Sequence, residues 1–324
     1  MTLLIAMARD DLAILVADRR ISRAGRLIDD EHNKICVCFC KDAKIAIGFT
    51  GIATFGAFST ADWIAATLAA PENAGASISE VVEALRSQLG PKMQSLGVED
   101  HRLTILCVGY VYWTAHPEPR IYEISNIGAG GMACAEALLR VVAPPHPSEA
   151  FVALAGATNA VPAHTLERLK EILQNEKLQP QEILRFAIRH LQNAAKSSAA
   201  LNSIGEQCNS AVLRREIDTF VTSTYHSARK TNRAYAANMV VAGRSEFLGV
   251  EMGGPDTLAG PDIRPKDLCW CNSGIEFRKC HLKKFGSVYA SVPLFKTPLP
   301  MCMQVTRDEA GPSGRVFCVV SSFV

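Results

Sequence analysis

The first fifty residues hold four strand-length apolar runs with no helical stretch among them, and this constrains the fold more than any other feature. Residues 2–9 and 12–17 are β-rich and flank Asp10-Asp11, which suits a hairpin turn. Residues 34–40 and 44–49 form a second pair around Lys41-Asp42-Ala43. Helical spacing begins only afterwards. Phe55, Phe58 and the run from Trp63 to Leu68 predict one helix. Ser77-Ile78-Ser79-Glu80 has capping-box spacing ahead of Val81, Val82, Leu85 and Leu89, which predicts another. Strands return at 103–113 and 120–124, then a turn at Gly128-Ala129-Gly130-Gly131 and a helix expected from Met132 through Leu138 and Leu139. Residues 151–155 read as a short buried strand, 164–174 and 180–196 as amphipathic helices, and 210–215, 219–224 and 236–242 as closing strands. Pro180 suits a first helical turn, where its missing N–H costs nothing. Strands in runs and helices in blocks fit βαβ alternation poorly. They predict an α+β fold of two stacked sheets covered on both sides by helices.

At 324 residues the chain has room for one large domain or a domain with a small module. A net charge of +2 predicts no polyanion partner, hence no nucleic acid. No apolar run reaches the roughly 18 residues of a membrane span, so no membrane partner is expected. The apolar start meets Asp10 and Asp11 without a cleavage-like segment, so no signal peptide is expected and the chain reads as a cytoplasmic, soluble protein. In that compartment eleven cysteines predict reduced thiols or metal ligands rather than disulfides. Cys36, Cys38 and Cys40 alternate and share one face of a strand. We read them as small apolar core side chains, against the rival of a redox or metal cluster. His32, His101, His146 and His190 show no ligand spacing and receive no site role. The glycine turn at Gly128 lacks the lysine and hydroxyl of a phosphate-binding loop.

From 243 to 267 the chain turns rich in Gly, Pro and Asp, the composition of a linker. Cys269, Cys271, Cys280 and His281 then place four soft or borderline ligands within one short segment. A Cys3His set fills the tetrahedral shell that zinc prefers and leaves no open position, so the expected role is structural. So short a segment cannot bury a core of its own, and the metal would supply its folding free energy. The Cys-x-Cys-x-Ser, then Cys-His arrangement resembles the SEC-C motif over residues 268–284. Such motifs are small appendages that contact partners, and Trp270, Phe277, Arg278, Lys279, Lys283 and Lys284 would give this copy an aromatic, cationic docking face. Residues 286–324, with Pro293, Pro298, Pro300 and Pro312 and no clear periodicity, are expected to form an irregular tail.

Thr2 follows the initiator methionine, which is normally removed before so small a residue. A free threonine would pair a hydroxyl nucleophile with an α-amine titrating at about 7.7–8.0, a suitable general base. A lysine nearby would lower the amine pKa, and a carboxylate would hold that lysine in place. Asp18, Arg20 and Lys34 stand near the ends of strands two and three. With Ala17-Asp18-Arg19-Arg20, Lys34 and Phe49-Thr50-Gly51, this stretch resembles the start of a proteasome β-type subunit, an N-terminal-nucleophile hydrolase. The resemblance extends over residues 2–242. It implies a four-layer αββα sandwich, Thr2 as nucleophile, amine tuning by Lys34 and Asp18, and an oxyanion donor at the Gly51 N–H.

Three departures accompany it. The family's Gly-Ser-Gly beside the nucleophile is matched to Gly128-Ala129-Gly130, without the serine. Its Asp-x-x-Ser-Gly-Gly is matched to the segment from Leu201 to Glu206, without the aspartate. Residues 144–175 read as an insertion. The expected layout is a hydrolase domain at 1–242, a linker at 243–267, a zinc module at 268–285 and a tail at 286–324. The expected activity is threonine-type peptide-bond hydrolysis in a homo-oligomer, acting on peptide or protein, with an ATPase or chaperone partner. The alternatives are a non-catalytic scaffold whose zinc module recruits a chaperone or translocase, and a small-molecule amidase on the same fold.

Overall fold

The computed structural model describes residues 2–215 apart from 24, 31, 114–115, 129–130 and 143–148, and then 221–226, 233–235, 238–243, 251–253, 290–291, 301–307 and 314–321. The chain begins with β1 (Leu3–Arg9), β2 (Leu12–Asp18), β3 (Ile21–Arg23), β4 (Arg26–Asp29), β5 (Ile35–Phe39) and β6 (Ala43–Gly51). A small hairpin of β7 (Thr54–Phe55) and β8 (Phe58–Ser59) precedes α1 (Thr60–Ala69) and α2 (Ile78–Ser95). Next come β9 (Leu103–Val111), β10 (Glu118–Ile127), β11 (Ala133–Val142), β12 (Phe151–Gly156), α3 (Thr165–Gln174), α4 (Pro180–Lys196) and β13 (Cys208–Arg214). The remaining strands are β14 (Val221–His226), β15 (Arg233–Tyr235), β16 (Asn238–Val241), β17 (Glu251–Gly253), β18 (Ala290–Ser291), β19 (Met301–Arg307) and β20 (Gly314–Ser321).

The protein is a mixed α+β chain with two large sheets and, among the described residues, four α-helices. One sheet has the order β12-β1-β2-β13-β14-β20-β19-β18 and the other β11-β10-β9-β6-β5-β16. Pairing within them is antiparallel except for β16 on β5, which is parallel.

Side-chain alternation distributes the core. Leu4, Ala6 and Ala8 of β1 and Ala13, Leu15 and Ala17 of β2 share one cluster with Ile35, Val37 and Phe39 of β5 and Leu106, Val108 and Tyr110 of β9. The two sheets therefore meet face to face. The opposite residues of β1 and β2, Leu3, Ile5, Met7, Leu12, Ile14 and Val16, pack on Leu169, Ile172 and Leu173 of α3 and Ile183, Ala187 and Leu191 of α4. Apolar residues on both faces explain why these strands read as unbroken hydrophobic runs. Cys36, Cys38 and Cys40 all point into a third cluster with α1 and α2, as small core side chains do. Burial pushes the Cys36 and Cys107 thiols far up. The capping box of α2 forms as its spacing predicts: the Ser77 N–H donates to Glu80 (2.8 Å) and the Glu80 N–H to Ser77 Oγ (3.4 Å).

Four expectations change. Phe55 and Phe58 lie in the β7–β8 hairpin, and Ser59, whose side chain accepts from the Asp62 N–H, starts α1 one residue later. Residues 133–142 are a strand rather than a helix, paired with β10 from Ile121↔Val142 to Ser125↔Leu138. Their Ala, Leu, Glu and Arg content favours helix locally, but pairing with the outer strand of the sheet overrides so weak a propensity. Residues 151–174 supply β12, hydrogen-bonded beside β1, and α3, packed in the core, so most of the supposed insertion belongs to the main fold. Within 286–324 the structure describes β18, β19 and β20, with β20 paired to β14. β19 and β20 contain no proline; the prolines on which the irregular reading rests, at 293, 298, 300 and 312, stand outside both strands.

Candidate active site

A cluster of buried polar residues lies where β1 begins and β2 ends. Thr2 is 3 % exposed, Asp18 0 % and Lys34 1 %. Antiparallel pairing of β1 with β2 places Leu4 opposite Ala17, so Asp18 comes level with the start of the chain. Lys34 immediately precedes β5, at the same end of the facing sheet.

Asp18 is a carboxylate with a full set of donors. Its Oδ1 accepts from the Leu3 N–H (2.8 Å), and its Oδ2 accepts from the Arg20 N–H (2.9 Å) and the Gly205 N–H (3.1 Å). The Lys34 ammonium approaches the same Oδ2 at 3.4 Å. A buried charge of this kind is tolerable only when hydrogen-bonded and paired. Lys34 Nζ also donates to the Arg20 carbonyl (2.5 Å) and to Thr2 Oγ1 (2.5 Å). All three ammonium protons thus have acceptors, and one acceptor is the threonine hydroxyl. Burial lowers the Lys34 pKa, and Asp18 opposes that shift.

Arg20 contributes through its backbone. Its guanidinium turns away and forks onto Asp30 (2.8 and 3.1 Å), a bidentate pair that braces the turn carrying the carbonyl. Gly205 packs closely here, since a Cβ on it would lie 2.9 Å from Arg20 Cβ and 3.1 Å from Asp30 Oδ1.

Gly51 ends β6 with φ +121°, and a Cβ there would meet the Arg102 carbonyl at 2.1 Å, so the position requires glycine. The Ile52 N–H donates to Arg102 O (3.3 Å), and the Leu103 N–H goes to Asn126 Oδ1 (2.7 Å). Gly51 and Leu103 are therefore a non-hydrogen-bonded pair, which turns the Gly51 N–H away from β9.

The glycine in contact with Thr2 is Gly156 at the end of β12. Its φ is +92°, and a Cβ on it would sit 1.8 Å from the Thr2 carbonyl oxygen. The next N–H, of Ala157, donates to that oxygen at 2.9 Å. Gly128 instead donates to Met132 O, and Ala129 and Gly130 lie outside the described residues. The match of Gly128-Ala129-Gly130 thus falls largely outside the described residues, and among those described Ala155-Gly156-Ala157 lies beside Thr2. The sequence shows the strand at 151–155 but not its place beside β1, which brings Gly156 to Thr2.

Two further residues beside this cluster carry no role of their own in the sequence reading. Thr50 Oγ1 accepts from the Thr2 N–H (3.2 Å) and donates to the Thr2 carbonyl (3.0 Å). His32, two residues before Lys34, packs edge-on against Phe49 with centroids 6.4 Å apart. Burial and the Lys34 charge push its pKa down to about 4.

The fold and this cluster define a mixed α+β protein with a buried threonine–lysine–aspartate contact. Comparison with family models matches the SEC-C motif to residues 266–283. Such motifs often bind zinc, and Cys269, Cys271, Cys280 and His281 fall within the matched span, outside the described residues. No curated protein matches the chain. Among the described residues, no group of three or more His, Cys, Asp or Glu side chains is placed to hold a metal.

Proposed function

We propose that the chain is an N-terminal threonine hydrolase acting on peptide bonds, with Thr2 as nucleophile once removal of Met1 frees its amine. The observation that carries this reading is the Lys34 ammonium on Thr2 Oγ1 at 2.5 Å, backed by buried Asp18. Few structural roles call for a cation pressed against a buried hydroxyl at the start of the first strand. In this reading the face-to-face sheets and flanking helices form the αββα sandwich of N-terminal-nucleophile hydrolases.

The chemistry follows from the contacts. Lys34 donates to Oγ1 and so stabilises negative charge on it, while the hydroxyl proton passes to the neutral Thr2 amine. Oγ1 bonds to the substrate carbonyl carbon, whose oxygen gains the charge. The Gly51 N–H, facing away from β9, is the candidate donor to that oxyanion, and one such donor is typically worth about 100- to 1000-fold in rate. The intermediate collapses as the peptide C–N bond breaks, and the Thr2 ammonium returns its proton to the leaving amine. Water, deprotonated by the same amine, then cleaves the Thr2 ester and restores the hydroxyl.

The zinc module is proposed as a separate unit at 268–285. Its Cys3His donor set suits one structural zinc, and its role is docking of a chaperone or ATPase partner. A homo-oligomer in the cytoplasm completes the reading.

The test is intact mass followed by turnover of a peptide library. Loss of Met1, with turnover abolished in Thr2→Ala and retained in part in Thr2→Ser, is the expected result. A retained Met1, or a Thr2→Ala variant as active as the parent, would overturn it. The non-catalytic scaffold would then account for the fold better.

A further inference from the structure

We propose that Thr50 is a positioning residue for the Thr2 amine, holding one N–H so that the nitrogen lone pair is left for the Thr2 hydroxyl. The inference rests on the reading of Thr2 as nucleophile and assigns a role to a residue outside the threonine–lysine–aspartate set.

The geometry leaves little choice of hydrogen-bond direction. Thr50 is 4 % exposed, and its Oγ1 lies 3.2 Å from Thr2 N and 3.0 Å from Thr2 O. A hydroxyl has one proton to give and two lone pairs to offer. The Thr2 carbonyl can only accept, so the Thr50 proton goes there. Toward the nitrogen Thr50 can then only accept. A neutral amine has two N–H bonds and one lone pair, and an acceptor fixed on one side draws an N–H to that side. The Thr2 carbonyl is held by a second donor, the Ala157 N–H at 2.9 Å, so the residue cannot swing about its own backbone. Lys34 fixes Oγ1 from another direction. The Thr2 nitrogen, carbonyl and hydroxyl are thereby held from three different elements.

Room for this hydroxyl is made by Gly156. A Cβ there would lie 2.5 Å from Thr50 Oγ1 as well as 1.8 Å from Thr2 O. On β6, Gly48 faces Leu4 and Leu15 of the opposing sheet, and Thr50 is the next residue on that face. The neighbouring Gly51 offers the N–H assigned to the oxyanion. One strand end thus serves both the base and the oxyanion. When the amine takes up the proton, the contact to Thr50 becomes charge-assisted and strengthens. Thr50 therefore raises the amine pKa relative to a chain without the hydroxyl.

The experiment measures the Thr2 amine pKa in the full-length protein from the pH dependence of its acylation by a small amine reagent, read by mass spectrometry of the N-terminal peptide. Parent, Thr50→Val and Thr50→Ser are compared, with kcat and KM measured beside them. Val keeps the branched shape without the hydroxyl, and Ser restores it. The expected result is an amine pKa lower by about one unit in Thr50→Val, kcat about tenfold lower with KM unchanged, and return of both in Thr50→Ser. Should Thr50→Val not fold, Thr50→Ala and Thr50→Ser make the same comparison. An unchanged amine pKa in a folded hydroxyl-free variant overturns the proposal, even where turnover still needs Thr2. A shifted pKa without Thr2-dependent turnover leaves the Thr50 contact standing and refutes the nucleophile. A retained Met1 overturns both.

Discussion

His32 should make the protein acid-sensitive in a pH range where most carboxylates are still ionised. Its imidazole is mostly buried, its Nε2 has no hydrogen-bond partner among the described residues, and its pKa falls from 6.5 to about 4, chiefly through desolvation and then through the Lys34 charge. The folded chain therefore keeps His32 neutral down to about pH 4, whereas the unfolded chain protonates it near 6.5. Between these values the unfolded state binds more protons, so stability is complete above the unfolded pKa and is lost as pH falls. At about 1.4 kcal/mol per unit, the loss between pH 7.5 and 4.5 comes to about 2.5 kcal/mol. Other groups titrate over the same range, so the informative quantity is a difference. Urea unfolding of the parent and of His32→Gln should be followed at several pH values between those limits. The parent should lose about 2.5 kcal/mol more than the variant, with most of the divergence below pH 6. Parallel curves would refute the argument, because they would mean that His32 meets water or a partner on both sides of folding.

Gly156→Ala should lower the melting temperature by roughly 5–10 °C and abolish any Thr2-dependent turnover, because the added methyl enters both a left-handed backbone and the space of Thr2 O. A calorimetric scan matching the parent would show that β12 can retreat from β1 freely. Native mass spectrometry should find one zinc per chain, and Cys271→Ser should lose it. Removing that zinc with a chelator should leave the circular dichroism of the main fold largely intact, and global unfolding would show instead that the two parts fold together.

What could be read from the sequence was local. Alternation along β1, β2 and β5 is carried by consecutive residues, so the strands, and the shared face of Cys36, Cys38 and Cys40, follow from side-chain order alone. The Ser77–Glu80 capping box spans one helical turn and forms as its spacing demands. Asp18 and Lys34 were legible through their spacing from Thr2, which resembles that of a known family, although the two residues meet across facing sheets.

Tertiary structure decided the rest. Residues 133–142 have a helical composition, and only the unpaired edge of β10 makes them a strand. Thr50 reaches Thr2 across 48 residues, and Gly205 reaches Asp18 across 187. Gly156 meets Thr2 because β12 closes the edge beside β1. None of these contacts leaves a periodic trace, since each depends on which strands become neighbours. A pattern along the chain specifies which face is buried. Only the packed sheets specify what it is buried against, and the surroundings of Thr2 are set by that second choice.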